Sequence, residues 1–328
     1  MSIMNTMSLE EFLEEWNNDS PYVEVKTSGS TGEPKRMMVE KKRMLNSARI
    51  TCDFLGLHEG DTALLCMSLD YIAGKMMVVR SIERGLKLIT VEPSGHPLES
   101  TQKEPSLLCT FAAMVPMQVY NSLQVPEEKE RLMQIKHLII GGGAIDEGME
   151  KELRGFPNAV WSTYGMTETL SHIALRRISG PEASEWYTPF PSVEISQSQD
   201  GCLIINAPEV CPETLVTNDI VEIENKCFRI LGRKDNVICS GGIKLQAEEI
   251  ERELKPYVRV PYIISKRKDE KFGEIVVLLT EGSTEEAKLI CEKYLPKYHI
   301  PKAYVHIDQI PLTETGKPAR KQAADIVK

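Results

Sequence analysis

Along the first two-thirds of the chain, short apolar runs alternate with amphipathic stretches. The runs Ala63–Met67, Leu86–Val91, Ser106–Cys109, His137–Ile140 and Ala159–Ser162 read as strands. Between them, Lys41–Leu57, Ala73–Arg84 and Ala113–Leu123 read as helices. Strand–helix alternation of this kind predicts an α/β fold, a mostly parallel sheet with helices on its faces. After Pro181 the texture changes. Residues 186–232 carry short alternating runs with Pro, Asn and Asp, the pattern of a small β subdomain with tight turns. The charged Leu231–Asp235 follows as a connector, and residues 236–328 read as a separate α+β unit. Its helices are expected near 246–254 and 284–295, its strands near 258–265, 274–280 and 303–307. The expected organisation is a large domain over 1–232, a hinge at 233–236 and a small C-terminal domain over 237–328. No internal repeat or low-complexity tract interrupts it.

Composition narrows the function classes. With 41% hydrophobic and 27% charged residues, the chain has the balance of a soluble globular protein. A formal charge of −9 argues against a nucleic-acid partner. No apolar run is long enough for membrane insertion, and the acidic N-terminal stretch lacks a signal-peptide pattern. Eight cysteines without a C-x-x-C pair argue against zinc and for reduced thiols, so a cytoplasmic location is expected.

Three segments carry chemistry. The first, Thr27-Ser28-Gly29-Ser30-Thr31-Gly32-Glu33-Pro34-Lys35, follows the strand-like Tyr22–Val25 and precedes a helix. Its glycines let backbone N–H groups converge on an anion, its hydroxyls add donors, and Lys35 adds charge. A Walker loop is excluded because Glu33-Pro34 separates Gly32 from the lysine. In isolation the same residues also suit a surface turn. The second, His137–Ala144, is a buried strand running into a glycine turn, where ligands collect at the carboxyl ends of parallel strands. The third, Tyr164-Gly-Met-Thr-Glu-Thr169, ends another strand with an aromatic face, a hydroxyl and a carboxylate together. Those groups suit base stacking, phosphate contact and Mg²⁺.

In this order the segments resemble the signatures of the adenylate-forming superfamily, which includes acyl-CoA and aryl-CoA ligases and adenylation domains. The resemblance covers roughly residues 22–325. It implies a carboxylate-activating ligase that uses ATP and Mg²⁺ and passes the acyl group to coenzyme A. Thr27, Ser28, Gly29, Ser30, Thr31, Gly32 and Lys35 would cradle the ATP phosphates. Gly142, Gly143 and Ala144 would lie against adenine with Tyr164, while Thr167 would reach phosphate and Glu168 the metal. Asp219 and Arg233 would hold the ribose, with Asn218 standing where glycine is usual. Asp235 would be the hinge of a mobile C-terminal domain, and Gly241 and Gly242 would face the thiol. Lys317, in Pro311-Leu-Thr-Glu-Thr-Gly-Lys317, would be the adenylation lysine, a cation placed at the transferring phosphoryl group.

Within the superfamily, the segments 68–77, 80–85, 113–117 and 165–172 look most like the o-succinylbenzoate–CoA ligases of menaquinone biosynthesis. That acid is an aromatic dicarboxylate, and its unreacted carboxylate would want a cation. Lys75 is the first candidate and Arg80 the second. Tyr71, Gly141, Ser171 and His172 would line the acyl pocket. No proton-transfer role falls to His172, because an ionised carboxylate needs no general base. Only 26 residues precede Thr27, which reads as a shortened member of the family. Two other readings stay open: an adenylation domain serving another acid or a carrier protein, and a non-catalytic nucleotide-binding remnant. Lys317 and Glu168 count against the remnant. Self-association as a homo-oligomer is left open.

Overall fold

The computed structural model describes residues 6–26, 36–99, 109–312 and 318–328. The chain groups into two compact units. One takes residues 1–195, 205–215 and 225–227, the other 196–204, 216–224 and 228–328.

The first unit opens with α1 (Leu9–Asn17), whose capping box pairs the Ser8 hydroxyl with the Glu11 N–H and the Glu11 carboxylate with the Ser8 N–H. β1 (Tyr22–Lys26) and β2 (Arg36–Glu40) pair antiparallel with Lys26 opposite Arg36. The glycine-rich segment 27–35 therefore joins two strands. This corrects the expected passage from strand to helix: β2 intervenes before α2 (Lys41–Leu55). There follow β3 (Thr62–Leu65), α3 (Ile72–Arg84), β4 (Lys87–Thr90), β5 (Phe111–Met114), α4 (Pro116–Gln124) and α5 (Pro126–Gln134). β6 (His137–Ile140), α6 (Glu147–Leu153), β7 (Ala159–Gly165), β8 (His172–Arg177) and β9 (Thr188–Pro189) complete it.

Seven of these strands form one sheet in the order β4-β3-β5-β6-β7-β8-β9. The first five run parallel, and β8 and β9 add antiparallel. Leu64, Ala112, Met114, Leu138, Ile140 and Val160 pack with Val119, Leu132, Met149 and Leu153 of α4, α5 and α6. α2 and α3 pack on each other, bury Met44, Ala48, Cys52, Met76 and Val79, and bring α3 against β3. The stretch Ala113–Leu123 is not one helix. Phe111–Met114 is a strand buried along its whole length, and Pro116 occupies the first turn of α4. A strand buried on both faces shows no polar alternation, so its apolar run merges with the helix after it. Of the expected strand at 106–109, residues 106–108 lie outside the described residues and Cys109 precedes β5.

β10 (Glu194–Gln197), β11 (Cys202–Asn206), β12 (Leu215–Glu224) and β13 (Cys227–Arg233) form a four-stranded sheet in chain order, most of it in the second unit. The second unit continues with β14 (Val237–Ser240), β15 (Ile243–Gln246), α7 (Ala247–Leu254), β16 (Tyr262–Asp269) and β17 (Gly273–Thr280). α8 (Thr284–Tyr294), β18 (Ala303–His306) and α9 (Arg320–Ile326) end it. Its main sheet runs β15-β14-β17-β16, with β18 parallel to β17. Val276 and Leu278 pack with Ile250, Leu254 and Cys291 of α7 and α8. Their neighbours Ile275, Val277 and Leu279 pack with Ala323 and Val327 at α9. β17 is thus buried on both faces, the consequence of its period-two alternation between two apolar layers. No helix among the described residues is long and apolar enough to cross a membrane.

Candidate active site

β6 and β7 are adjacent parallel strands, and both glycine-containing segments leave from their carboxyl ends. That is where an open α/β sheet presents ligands to loops. A Cβ on Gly141 would lie 2.3 Å from the Thr163 hydroxyl, so the turn passes tight against β7. Gly142 has φ +78°, in the left-handed region that glycine enters without steric cost. Gly143 and Ala144 complete the turn, and Asp146 caps α6 by accepting the Gly148 N–H.

Tyr164 is buried on β7, and its ring meets Tyr187 edge-on at 5.9 Å. The Tyr187 hydroxyl bonds Ser162 Oγ at 2.8 Å, and Arg176, held by both oxygens of Glu150 at 2.8 Å, lies 5.7 Å from the Tyr187 ring. Sequence reading passed over Tyr187; its signal was the aromatic pair Trp186-Tyr187 in an otherwise polar stretch. Beyond β7, Thr167–Thr169 forms a single 3₁₀ turn that leaves Glu168 exposed. The turn is held under strain. Buried Leu170 has φ 65° and ψ −36°, a backbone state costing about 1–3 kcal/mol. Thr169 staples it, its hydroxyl within 2.7 Å of the Ser171 carbonyl and 3.0 Å of the Met166 carbonyl. A Cβ on Gly165 would lie 2.2 Å from the Ser171 carbonyl oxygen, where the β7–β8 ladder shifts register.

Four of the first unit's polar groups join in a buried line. Arg80 Nη2 donates to Ser171 Oγ at 2.7 Å, Ser171 Oγ meets His172 Nδ1 at 3.1 Å, and His172 Nε2 meets Thr51 Oγ1 at 3.2 Å. Arg80 is 2% exposed, has no carboxylate partner, and its Nε has no hydrogen-bond partner among the described residues. Burial pulls its pKa down to about 10. Burial, reinforced by the Arg80 charge, pushes the His172 pKa well below the usual histidine range, so the ring is neutral. Thr51 was missed in the sequence. Its signal was Ser47 and Thr51, four residues apart inside the apolar stripe of α2.

Lys75 is not brought to this cluster. Its ammonium donates to the Glu24 carbonyl at 2.7 Å and pairs with Glu15 at 3.2 Å, above the Phe12 ring at 5.3 Å. Glu15 also accepts the Glu24 N–H at 2.9 Å. The lysine therefore ties α1, α3 and β1 together and anchors the strand that feeds segment 27–35. Tyr71, 43% exposed, stands at the N-terminus of α3.

In the second unit, Arg233 Nη1 pairs with Asp219 at 3.0 Å and Nη2 with Asp235 at 3.0 Å. Asn218 donates to Asp235 at 3.2 Å, so the asparagine in the glycine position supports the aspartate. Gly241 and Gly242, at φ 59° and 83°, form the two-residue turn between β14 and β15, with Ser240 opposite Ile243. Two successive positive φ values are the requirement of a type I′ hairpin. Thr27, Ser28, Gly29, Ser30, Thr31, Gly32, Lys35 and Lys317 lie outside the described residues. Leu312 and Pro318 bridge on either side of 313–317.

A family model described as AMP-binding enzyme matches residues 6–199. The chain belongs to that family. Its enzyme class is AMP-forming acid–thiol ligase. It is 26% identical to the 2-succinylbenzoate–CoA ligase of Listeria monocytogenes serotype 4b (strain F2365), over 94% of this chain and 71% of that one. Among solved structures it resembles an acyl-CoA synthetase (AMP-forming)/AMP-acid ligase II-like protein from Dyadobacter fermentans. That match has TM-score 0.66 and 31% identity, and covers 97% of this chain and 93% of the other. It shares its fold with an o-succinylbenzoate–CoA synthetase of Bacillus subtilis in complex with an acyl-adenylate intermediate, at TM-score 0.75 and 23% identity. There the match covers 92% of this chain and 68% of the synthetase.

Proposed function

We propose that this AMP-binding enzyme joins o-succinylbenzoate to coenzyme A through an acyl-adenylate. The observation that carries the substrate is Arg80. Among the described residues this guanidinium is buried without a counter-ion, which costs several kcal/mol, and an acid with a second carboxylate supplies the missing partner. The named activity of the Listeria relative supports the same acid.

In the first step one carboxylate oxygen attacks the α-phosphorus of ATP, the bond to the bridging oxygen breaks, and pyrophosphate leaves. Lys317 stabilises the charge that develops at phosphorus. Tyr164 and the Gly142–Ala144 turn hold the base, Thr167 contacts phosphate, and Asp219 and Arg233 hold the ribose. Glu168 suits Mg²⁺: it is an exposed hard oxygen donor, and the described residues contain no cluster of three His, Cys, Asp or Glu. Such a site matches an ion that keeps most of its shell as water and phosphate oxygens. When bound, the ion neutralises charge on the phosphates. In the second step the coenzyme A sulfur bonds the acyl carbon, the carbon–oxygen bond to AMP breaks, and the thiol proton passes to solvent. Asp235 serves as the hinge between the steps, with Gly241 and Gly242 facing the thiol.

The test is pyrophosphate release with MgATP against a panel of carboxylic acids that includes o-succinylbenzoate, each with and without coenzyme A. Release with o-succinylbenzoate together with a coenzyme A thioester is the expected result. Release only with monocarboxylic acids would refute the substrate assignment and keep the ligase. No release with any acid would refute the activity.

A further inference from the structure

The buried line from Arg80 to α2 has one hydrogen-bond direction that gives every donor in it an acceptor. Arginine can only donate, and a backbone carbonyl can only accept. At the far end, Thr51 Oγ1 donates to the Ser47 carbonyl at 3.0 Å, so towards His172 the same hydroxyl can only accept. His172 must therefore carry its proton on Nε2. A neutral ring protonated there leaves Nδ1 as an acceptor, and the group facing it is the Ser171 hydroxyl. Ser171 spends its proton on His172 and turns a lone pair to Arg80 Nη2. Each donor in the line then has one acceptor, from the guanidinium to the α2 backbone. A reversed order would have Ser171 accept from both Arg80 and His172 and leave its own proton without an acceptor in the line.

Packing leaves the line no slack. Thr51 is fully buried, His172 is 7% exposed, and the histidine ring rests against Phe190 at 5.5 Å. Both ring nitrogens are taken by protein hydroxyls. No nitrogen of His172 is then left for substrate.

We propose that Thr51 and His172 are positioning residues for acid specificity: they fix the direction of the Ser171 hydroxyl and through it the setting of Arg80. With its proton held by His172, Ser171 offers no hydrogen to an anionic ligand. Recognition of the second carboxylate then falls to the guanidinium alone, whose Nε has no hydrogen-bond partner among the described residues. Removing the Thr51 hydroxyl deprives His172 Nε2–H of its acceptor. The ring can then move its proton to Nδ1, so that Ser171 Oγ accepts from both His172 and Arg80, its own proton leaves the ring, and the bond that sets Arg80 weakens. This assignment rests on Arg80 being the carboxylate contact.

The experiment compares wild type, Thr51→Val and Thr51→Ser in the full chain. It measures kcat and KM for o-succinylbenzoate and for two monocarboxylate analogues, one lacking the ring carboxylate and one the succinyl carboxylate. Wild type is expected to prefer the dicarboxylate over the better analogue by at least about tenfold, the worth of a charge-assisted hydrogen bond. In Thr51→Val that preference falls about tenfold through a higher dicarboxylate KM, and Thr51→Ser restores it. Nitrogen NMR of the histidine rings, with His172 assigned by a His172→Asn variant, reads the relay directly and without turnover. It is expected to show the Nε2–H form in wild type and loss of that form in Thr51→Val. An unchanged preference, or a His172 tautomer indifferent to Thr51, overturns the relay. A wild type with no dicarboxylate preference overturns the Arg80 reading beneath it, before any variant is compared.

Discussion

Arg80→Met separates what the guanidinium does for a ligand from what it costs the fold. Burial draws its pKa from 12.5 to about 10. At about 1.4 kcal/mol per pH unit, this is about 3 kcal/mol against keeping the charge inside. Against that stands the Nη2–Ser171 hydrogen bond at 2.7 Å, worth about 1.5–3 kcal/mol for a charged donor. Methionine keeps most of the apolar volume beside Met77 and carries no charge. The ligand-free variant should therefore be as stable as wild type or up to about 2 kcal/mol more so, a rise in Tm of a few degrees at most. Activity should move the other way. The preference for o-succinylbenzoate over its monocarboxylate analogues should fall by about tenfold or more. The assay pairs thermal unfolding of the ligand-free chain with kcat/KM on the three acids. A loss of several degrees in Tm with the preference intact would refute the reasoning, because the guanidinium would then be a structural cation.

Three further outcomes are expected. The unfolded chain takes up a proton on His172 near pH 6.5, whereas the native ring resists it, so stability should rise with pH up to about 6.5 and level off above. Below that His172 and His137, whose pKa is also lowered by burial, each take up to about 1.4 kcal/mol per pH unit from the native state; His172→Gln should remove its own part of the slope in urea titrations from pH 5 to 7. Gly165→Ala places a Cβ 2.2 Å from the Ser171 carbonyl and 2.5 Å from His172 Cα, both backbone, and should cost at least about 3 kcal/mol by denaturant midpoint. Lys317→Ala should slow pyrophosphate release by about 10²–10³ while leaving thioester formation from supplied acyl-adenylate near wild type; equal losses in both steps would place the lysine elsewhere.

The parallel sheet was legible because its strands are short apolar runs separated by helices, and β6 falls on residues 137–140 as expected. Gly141 and Gly142 were legible for the same reason: a glycine run at a strand end leaves few backbone alternatives. The failures have a common cause. Phe111–Met114 is apolar at every position, so nothing in its pattern separates a buried strand from the helix beginning at Pro116. β2 was missed because Arg36-Met-Met-Val-Glu40 is a short, half-exposed edge whose strand character comes from pairing with β1.

Lys75 and Arg80 show where one-dimensional reading stops. They sit on the same helix, five residues apart, and both are buried, at 3% and 2% exposure. Composition and spacing treat them alike, and the lysine in the glycine-containing motif drew the assignment. What separates them is who faces them. Lys75 meets the Glu15 carboxylate and the Glu24 carbonyl, donated by elements about sixty and fifty residues away in sequence, so its charge is neutralised by the fold itself. Arg80 meets a hydroxyl and a thioether, which accept hydrogen bonds but carry no charge. A cation already paired gains little from a ligand anion and would have to break its pair to meet one. The unpaired cation gains the whole interaction. On the proposed reading, selectivity for a dicarboxylate follows from which lysine or arginine the tertiary structure leaves uncompensated among the described residues, and that is a property of the folded contacts rather than of the motif.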